Sequence, residues 1–136
     1  MLVGSNVRRV AVLGGSRIPF ARSHGAYATV GNQDMLTAAL AGVVERFRLQ
    51  GVRLGEVAAG AVMKHSKDFN LVRECVLSTA LDPQTPGLDL QRACGTSLEA
   101  AILVGSKEGV VVNKRAIVRE DKKDWLFSYD AMTMMR

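Results

Sequence analysis

The chain has 136 residues, 48% of them hydrophobic and 23% charged, which is enough for one domain with a real core and ordinary for a folded protein rather than a disordered one. Its net charge of +5 is spread out, with 11 basic against 8 acidic residues in 1–106 and 7 against 5 in 107–136. No basic stripe with interleaved aromatics forms, so a nucleic-acid partner is not expected, while an anionic small molecule stays compatible.

The opening MLVGSNVRRVAVLGG places Arg8 and Arg9 before a run of only five residues, too short for a signal-peptide core. No apolar run approaches the roughly 20 residues of a membrane span, and a cytoplasmic location is expected. RRVAVLGG reads as a buried strand that leaves into a turn at Gly14 and Gly15. VLGGSR is a poor dinucleotide turn, because it lacks G-x-G-x-x-G and a helix directly after it. SRIPFARSHGAYATVGN, with Pro19, Gly25 and Gly31 and no helical period, reads as a long loop of the kind that is often functional.

From Asn32 the period changes. NQDMLTAALAGVVERFRL sets Met35, Leu36, Ala39, Leu40, Val43, Val44 and Phe47 on one face, an amphipathic helix with Asn32 or Asp34 as its cap. EVAAGAVMKH follows as a second buried strand, and DFNLVRECVLSTAL as a second helix carrying Leu71, Val72, Cys75, Leu77 and Leu81. Cys75 falls on the apolar face of that helix and reads as core. Asn70 and Arg73 open the helix, with capping and ion pairing as their expected roles. DPQTPG is a turn by composition.

LDLQRA is the third strand and GTSLEAAILVGS the third helix, rich in good helix formers. The order β, loop, α, β, α, β, α predicts an α/β fold, a mainly parallel sheet with helices on its faces. Residues 1–105 form that domain. Residues 106–136 form a divergent tail, with a strand or hairpin around Asn113 and then a segment without either period.

Cys94 lies where the third strand gives way to the third helix. In open parallel sheets, ligands sit beyond the carboxyl ends of strands. A thiol at a helix N-terminus also meets the positive end of the helix dipole and unpaired N–H donors, which favour thiolate. Thr96 and Glu99 fit a capping box, and Gly95 lets the backbone come close to a bound carbonyl. If Cys94 attacks that carbonyl, its own N–H can help hold the oxyanion. The competing reading is that a free cysteine packs as a small hydrophobe, and spacing alone does not decide between the two. Cys75 and Cys94 form no metal-ligand spacing, and no metal is expected; both are expected to stay reduced.

RVAVLGGSRIPFARSHGAY, NLVRECVLSTAL and DLQRACGTSLEAA together resemble the amino-terminal portion of the thiolase family, in order and spacing from residue 8 to about 105. The likeness is strongest to acetyl-CoA acetyltransferases and 3-ketoacyl-CoA thiolases of bacterial fatty-acid oxidation. It implies a thiolase-like α/β half-domain, incomplete at the C-terminus. It also implies that Cys94 is the catalytic nucleophile that takes the acyl group, with Gly95 lending backbone to the substrate. Coenzyme A and acyl-CoA are the implied substrates, with no permanently bound cofactor. Arg17, Pro19 and Phe20 match the family's Arg-x-Pro-Phe loop, with a structural role. Relatives assemble as dimers or dimers of dimers, so a homo-oligomer or a pairing with another thiolase chain is implied.

The family's later motifs are absent: Asn-Glu-Ala-Phe, the Gly-His-Pro histidine and a second cysteine in Cys-x-Gly. His24 and His65 stand in no matching motif and read as exposed polar residues. Turnover by this chain alone is therefore not expected. Two further classes stay open. One is a non-catalytic remnant that associates with another chain, and the other is a ketoacyl-synthase-like condensing enzyme, against which the Arg-x-Pro-Phe opening speaks.

Overall fold

A computed structural model describes residues 11–22, 24–107 and 124–125. The elements are β1 (Ala11–Val12), α1 (Asn32–Arg46), β2 (Val57–Ala59), α2 (Leu71–Leu77), β3 (Gly87–Asp89), α3 (Thr96–Ser106) and β4 (Asp124–Trp125). Both strand pairs are parallel, as the α/β order predicts. β2 pairs with β3 in the register Val57–Gly87, Ala58–Leu88 and Ala59–Asp89, and β1 pairs with β4 through Ala11–Asp124 and Val12–Trp125. The strand or hairpin expected around Asn113 lies outside the described residues.

α1 carries the clearest periodicity and buries Leu36, Ala39, Leu40, Val43 and Val44, with Met35 and Phe47 half-buried at its edges. Its N-cap is Gly31 rather than Asn32 or Asp34. The Asp34 carboxylate instead accepts the Gly31 N–H at 3.0 Å, and the Asn32 side chain donates to Met63 O and to the Asp68 carboxylate. The helix ends before Leu49 because Arg48 adopts a left-handed backbone, φ 53°. Leu49 N–H then donates to Val44 O at 2.8 Å and Arg48 N–H to Glu45 O at 3.2 Å, the paired bonds of a Schellman ending.

α1 packs on α2, and α2 lies on β2 and β3 while α3 lies on β2. The shared core joins the α1 stripe to Leu49, Leu54, Ala59, Ala61, Leu71, Val72, Cys75, Val76 and Leu81. Each Leu or Val fully removed from water there contributes about 1.5–3 kcal/mol. Two glycines let the layers close up. A Cβ on Gly87 would stand 2.8 Å from the Arg73 backbone nitrogen, and one on Gly60 would collide with the Leu90 carbonyl oxygen.

The second helix is shorter than expected. A 3-10 turn at Ser66–Asp68 precedes it, and the α-helix starts only at Leu71. At its other end the Ser78 and Thr79 hydroxyls donate to Glu74 O and Val76 O, side-chain competition with the backbone ladder that suits a helix terminus. The second and third strands are also shorter than the apolar runs that carry them. The chain leaves β2 at Gly60, and after β3 only the Leu90 N–H to Ala59 O bond, 3.0 Å, continues the pairing. The expected turn at 82–87 is present, closed by Thr85 N–H to Asp82 O at 2.9 Å and Gln84 N–H to Asp82 Oδ1 at 2.7 Å.

Candidate active site

Four side-chain links tie the carboxyl end of β3 to its surroundings. The Asp89 carboxylate accepts the Val72 N–H at 2.7 Å and the Leu71 N–H at 3.1 Å, and pairs with Lys64. It satisfies two first-turn donors of α2 that would otherwise lack partners. Asn70, expected as the cap, makes no side-chain capping bond, and Arg73 donates to the Thr85 carbonyl at 2.8 Å instead of forming an ion pair. The Gln91 side-chain amide donates to the Val62 carbonyl, which holds the start of the next turn to the segment after β2.

That turn, residues 92–96, presents Cys94. The thiol is exposed, among the described residues no hydrogen bond engages it, and it stands five residues beyond the last residue of β3 and two before α3. The residue before it, Ala93, has a left-handed backbone, φ 44°, a conformation that costs an L-residue roughly 1–2 kcal/mol. Neighbouring bonds hold it there. Thr96 Oγ1 accepts the Arg92 N–H at 2.9 Å and donates to Ala93 O at 2.7 Å, while Gly95 N–H donates to Arg92 O at 2.9 Å.

The capping box expected of Thr96 and Glu99 is not formed. Gly95 is the N-cap, so Thr96 is already helical and its hydroxyl closes the turn behind it. Glu99 reaches Arg92 at 3.4 Å across the exposed surface of that turn, a pair worth little in solvent. Gly95 has φ −91°, which any residue adopts, and among the described residues a Cβ there would approach only Arg92 O at 3.4 Å and Arg92 Cγ at 3.8 Å. Neither strain nor packing within the fold requires a glycine at that position.

Cys75 is the opposite kind of thiol. It is 0% exposed, its Sγ lies 3.6 Å from Gln33 O, and burial pushes it up to about 11. It packs as core, as its place on the helix predicts. His24 and His65 are exposed, and neither imidazole makes a hydrogen bond among the described residues. The main-chain N–H of His65 donates to Asp68 at 2.9 Å. Asp68 is itself buried and also receives the Asn32 side chain at 2.8 Å, which fastens segment 63–68 to the start of α1. Among the described residues no group of His, Cys, Asp and Glu is arranged to hold a metal ion, and no helix is long and apolar enough to cross a membrane.

Asp89, Lys64 and Asp68 carry no sequence motif that singles them out. The signal for Asp89 is indirect, a lone acid at the end of an apolar strand opposite a helix start without a local cap.

The chain is similar to known proteins. Residues 10–112 match the family described as thiolase, N-terminal domain. The chain is 31% identical over 96 residues to a 3-ketoacyl-CoA thiolase of Shewanella sp. (strain ANA-3), covering 71% of this chain and 22% of that protein. A protein of the same name from Vibrio cholerae is also 31% identical over 96 residues, and one from Photorhabdus laumondii is 30% identical over 92. The chain thus spans about a fifth of the length of the curated relatives it matches.

Proposed function

From a chain that belongs to the thiolase family, as a counterpart of its amino-terminal domain, we propose acyl transfer through Cys94, between a 3-ketoacyl-CoA and coenzyme A. The observation that carries the proposal is the exposed Cys94 thiol, set on a pinned turn between the carboxyl end of β3 and the start of α3.

In the thiolytic direction the Cys94 sulfur, having lost its proton, adds to the 3-keto carbon. The C2–C3 bond then breaks, and its electron pair and a proton leave on acetyl-CoA. The acyl group stays on sulfur until the thiol of a second coenzyme A takes it. In the condensing direction the same sulfur accepts acetyl from acetyl-CoA. Cys94 is the nucleophile of this reading, and its N–H together with the unobstructed backbone at Gly95 is the place for the carbonyl oxygen. Coenzyme A is substrate in this reading, and fatty-acid oxidation in the cytoplasm is the setting that the resemblance to fatty-acid oxidation thiolases implies. The match to thiolases favours this over a ketoacyl-synthase-like condensing enzyme.

A second reading, association with another thiolase chain, has its own support. Leu98 and Ile102, one turn apart on the outward side of α3, are 65% and 58% exposed. Exposed large apolar side chains grouped in this way mark a surface suited to a partner. The groups that complete turnover would then come from the partner.

The test of the proposed reaction is the intact mass of the purified chain before and after incubation with acetyl-CoA, with the adduct mapped by peptide. Acetylation of Cys94 supports it. An unmodified Cys94 in a folded chain speaks for the non-catalytic association. For that second reading, Leu98→Ser/Ile102→Ser should lower the sedimentation coefficient of any assembly that forms.

A further inference from the structure

Thr96 does more at this site than begin a helix. It is 1% exposed, and its hydroxyl uses one donor and one acceptor bond, both spent on the turn that carries Cys94. Its amide also donates to Ala93 O, at 3.2 Å. The Ala93 carbonyl is therefore held from two directions by one residue. The Ala93–Cys94 bond is trans, and in a trans peptide the C=O and the following N–H point in opposite directions. Fixing the Ala93 oxygen toward the first turn of α3 fixes the Cys94 N–H away from it.

We propose that Thr96 is a positioning residue for the acyl transfer. Its hydroxyl holds Ala93 in the left-handed conformation and so orients the Cys94 amide beside its own thiol, toward the carbonyl oxygen of the incoming thioester. This rests on the reading of Cys94 as the acyl acceptor. The methyl of Thr96 has a separate role, since its Cγ2 would lie 3.0 Å from a Cβ on Gly60 and fills the space beside that glycine. Hydroxyl and methyl can thus be separated: Thr96→Val keeps the shape and removes the hydrogen bonds, and Thr96→Ser does the reverse.

The experiment compares two probes of Cys94 in the full chain, read by peptide mapping. Acetyl-CoA requires a carbonyl oxygen to be held as the sulfur attacks, whereas iodoacetamide alkylates the same sulfur by displacing iodide and needs no such support. Cys75 reports folding in the same spectrum, because it is labelled only when the core opens. The expected result is acetylation slowed at least about five-fold in Thr96→Val, with alkylation of Cys94 within about two-fold of the unchanged protein and Thr96→Ser restoring acetylation. Equal acetylation in Thr96→Val would overturn the inference, and so would an equal loss of acetylation and alkylation, which would mean displacement of the thiol alone. If Thr96→Val exposes Cys75, the same comparison is made between Ala93→Gly and Ala93→Gly/Thr96→Val, where the left-handed backbone carries little strain. Failure of the unchanged protein to acetylate while Cys94 alkylates would overturn the acyl-transfer reading itself.

Discussion

Asp89 caps a helix that it does not belong to: its Oδ1 accepts the Val72 N–H at 2.7 Å, seventeen residues back along the chain. With Leu71 N–H and Lys64 on the other oxygen, one carboxylate joins β3, α2 and the segment after β2. The position of the turn that presents Cys94 depends on this junction, because the turn follows directly from β3.

Replacing Asp89 should therefore be costly. Hydrogen bonds to charged groups contribute about 1.5–3 kcal/mol, and removal of the carboxylate also leaves Lys64 without its partner. Asp89→Ala is expected to lower unfolding stability by about 2–4 kcal/mol and Asp89→Asn by less, measured by urea denaturation. A loss under about 0.5 kcal/mol for Asp89→Ala would mean that water replaces the cap at no cost.

Asp68 gives the fold an acid-sensitive fastening. Burial raises its carboxyl, but the His65 amide, the Asn32 side chain and the nearby His65 and Lys67 charges outweigh that and hold it below its ordinary value of 3.8. A depressed folded value means that stabilisation is complete above the unfolded value and is lost as pH falls through the folded one. Stability should decline as pH drops below about 4, and Asp68→Asn should be less stable near neutrality with a shallower acid limb. Parallel acid limbs for the two proteins would rule out Asp68 as a contributor.

Arg48 occupies the left-handed position of the α1 ending, where glycine is favoured. Arg48→Gly should raise stability by up to about 1 kcal/mol, seen as a higher Tm. A lower Tm would show that the Arg48 side chain contributes more than its backbone costs.

The two thiols should separate cleanly. At pH 8, iodoacetamide is expected to label the exposed Cys94 and spare Cys75, whose burial and value near 11 both protect it. Labelling of both at similar rates in the absence of denaturant would contradict the described core.

The amphipathic period of α1, the parallel order and the place of Cys94 between strand and helix were legible because each depends on neighbours in sequence. The strand lengths are less legible: apolar residues such as Ala61 and Leu90 are recruited by packing and by single bonds across chain segments, so the hydrophobic run outlasts the ladder. Asp89 was invisible as a cap because its partners lie seventeen and eighteen residues away. Thr96 matched a capping-box spacing, yet one residue of offset turned the same hydroxyl from a cap into the clamp behind Cys94.

The most direct measurement is the intact mass of the chain after incubation with acetyl-CoA, with peptide mapping of both cysteines. The account predicts one acetyl group, on Cys94, and none on the buried Cys75. A folded chain that alkylates at Cys94 but takes no acetyl group there would contradict it.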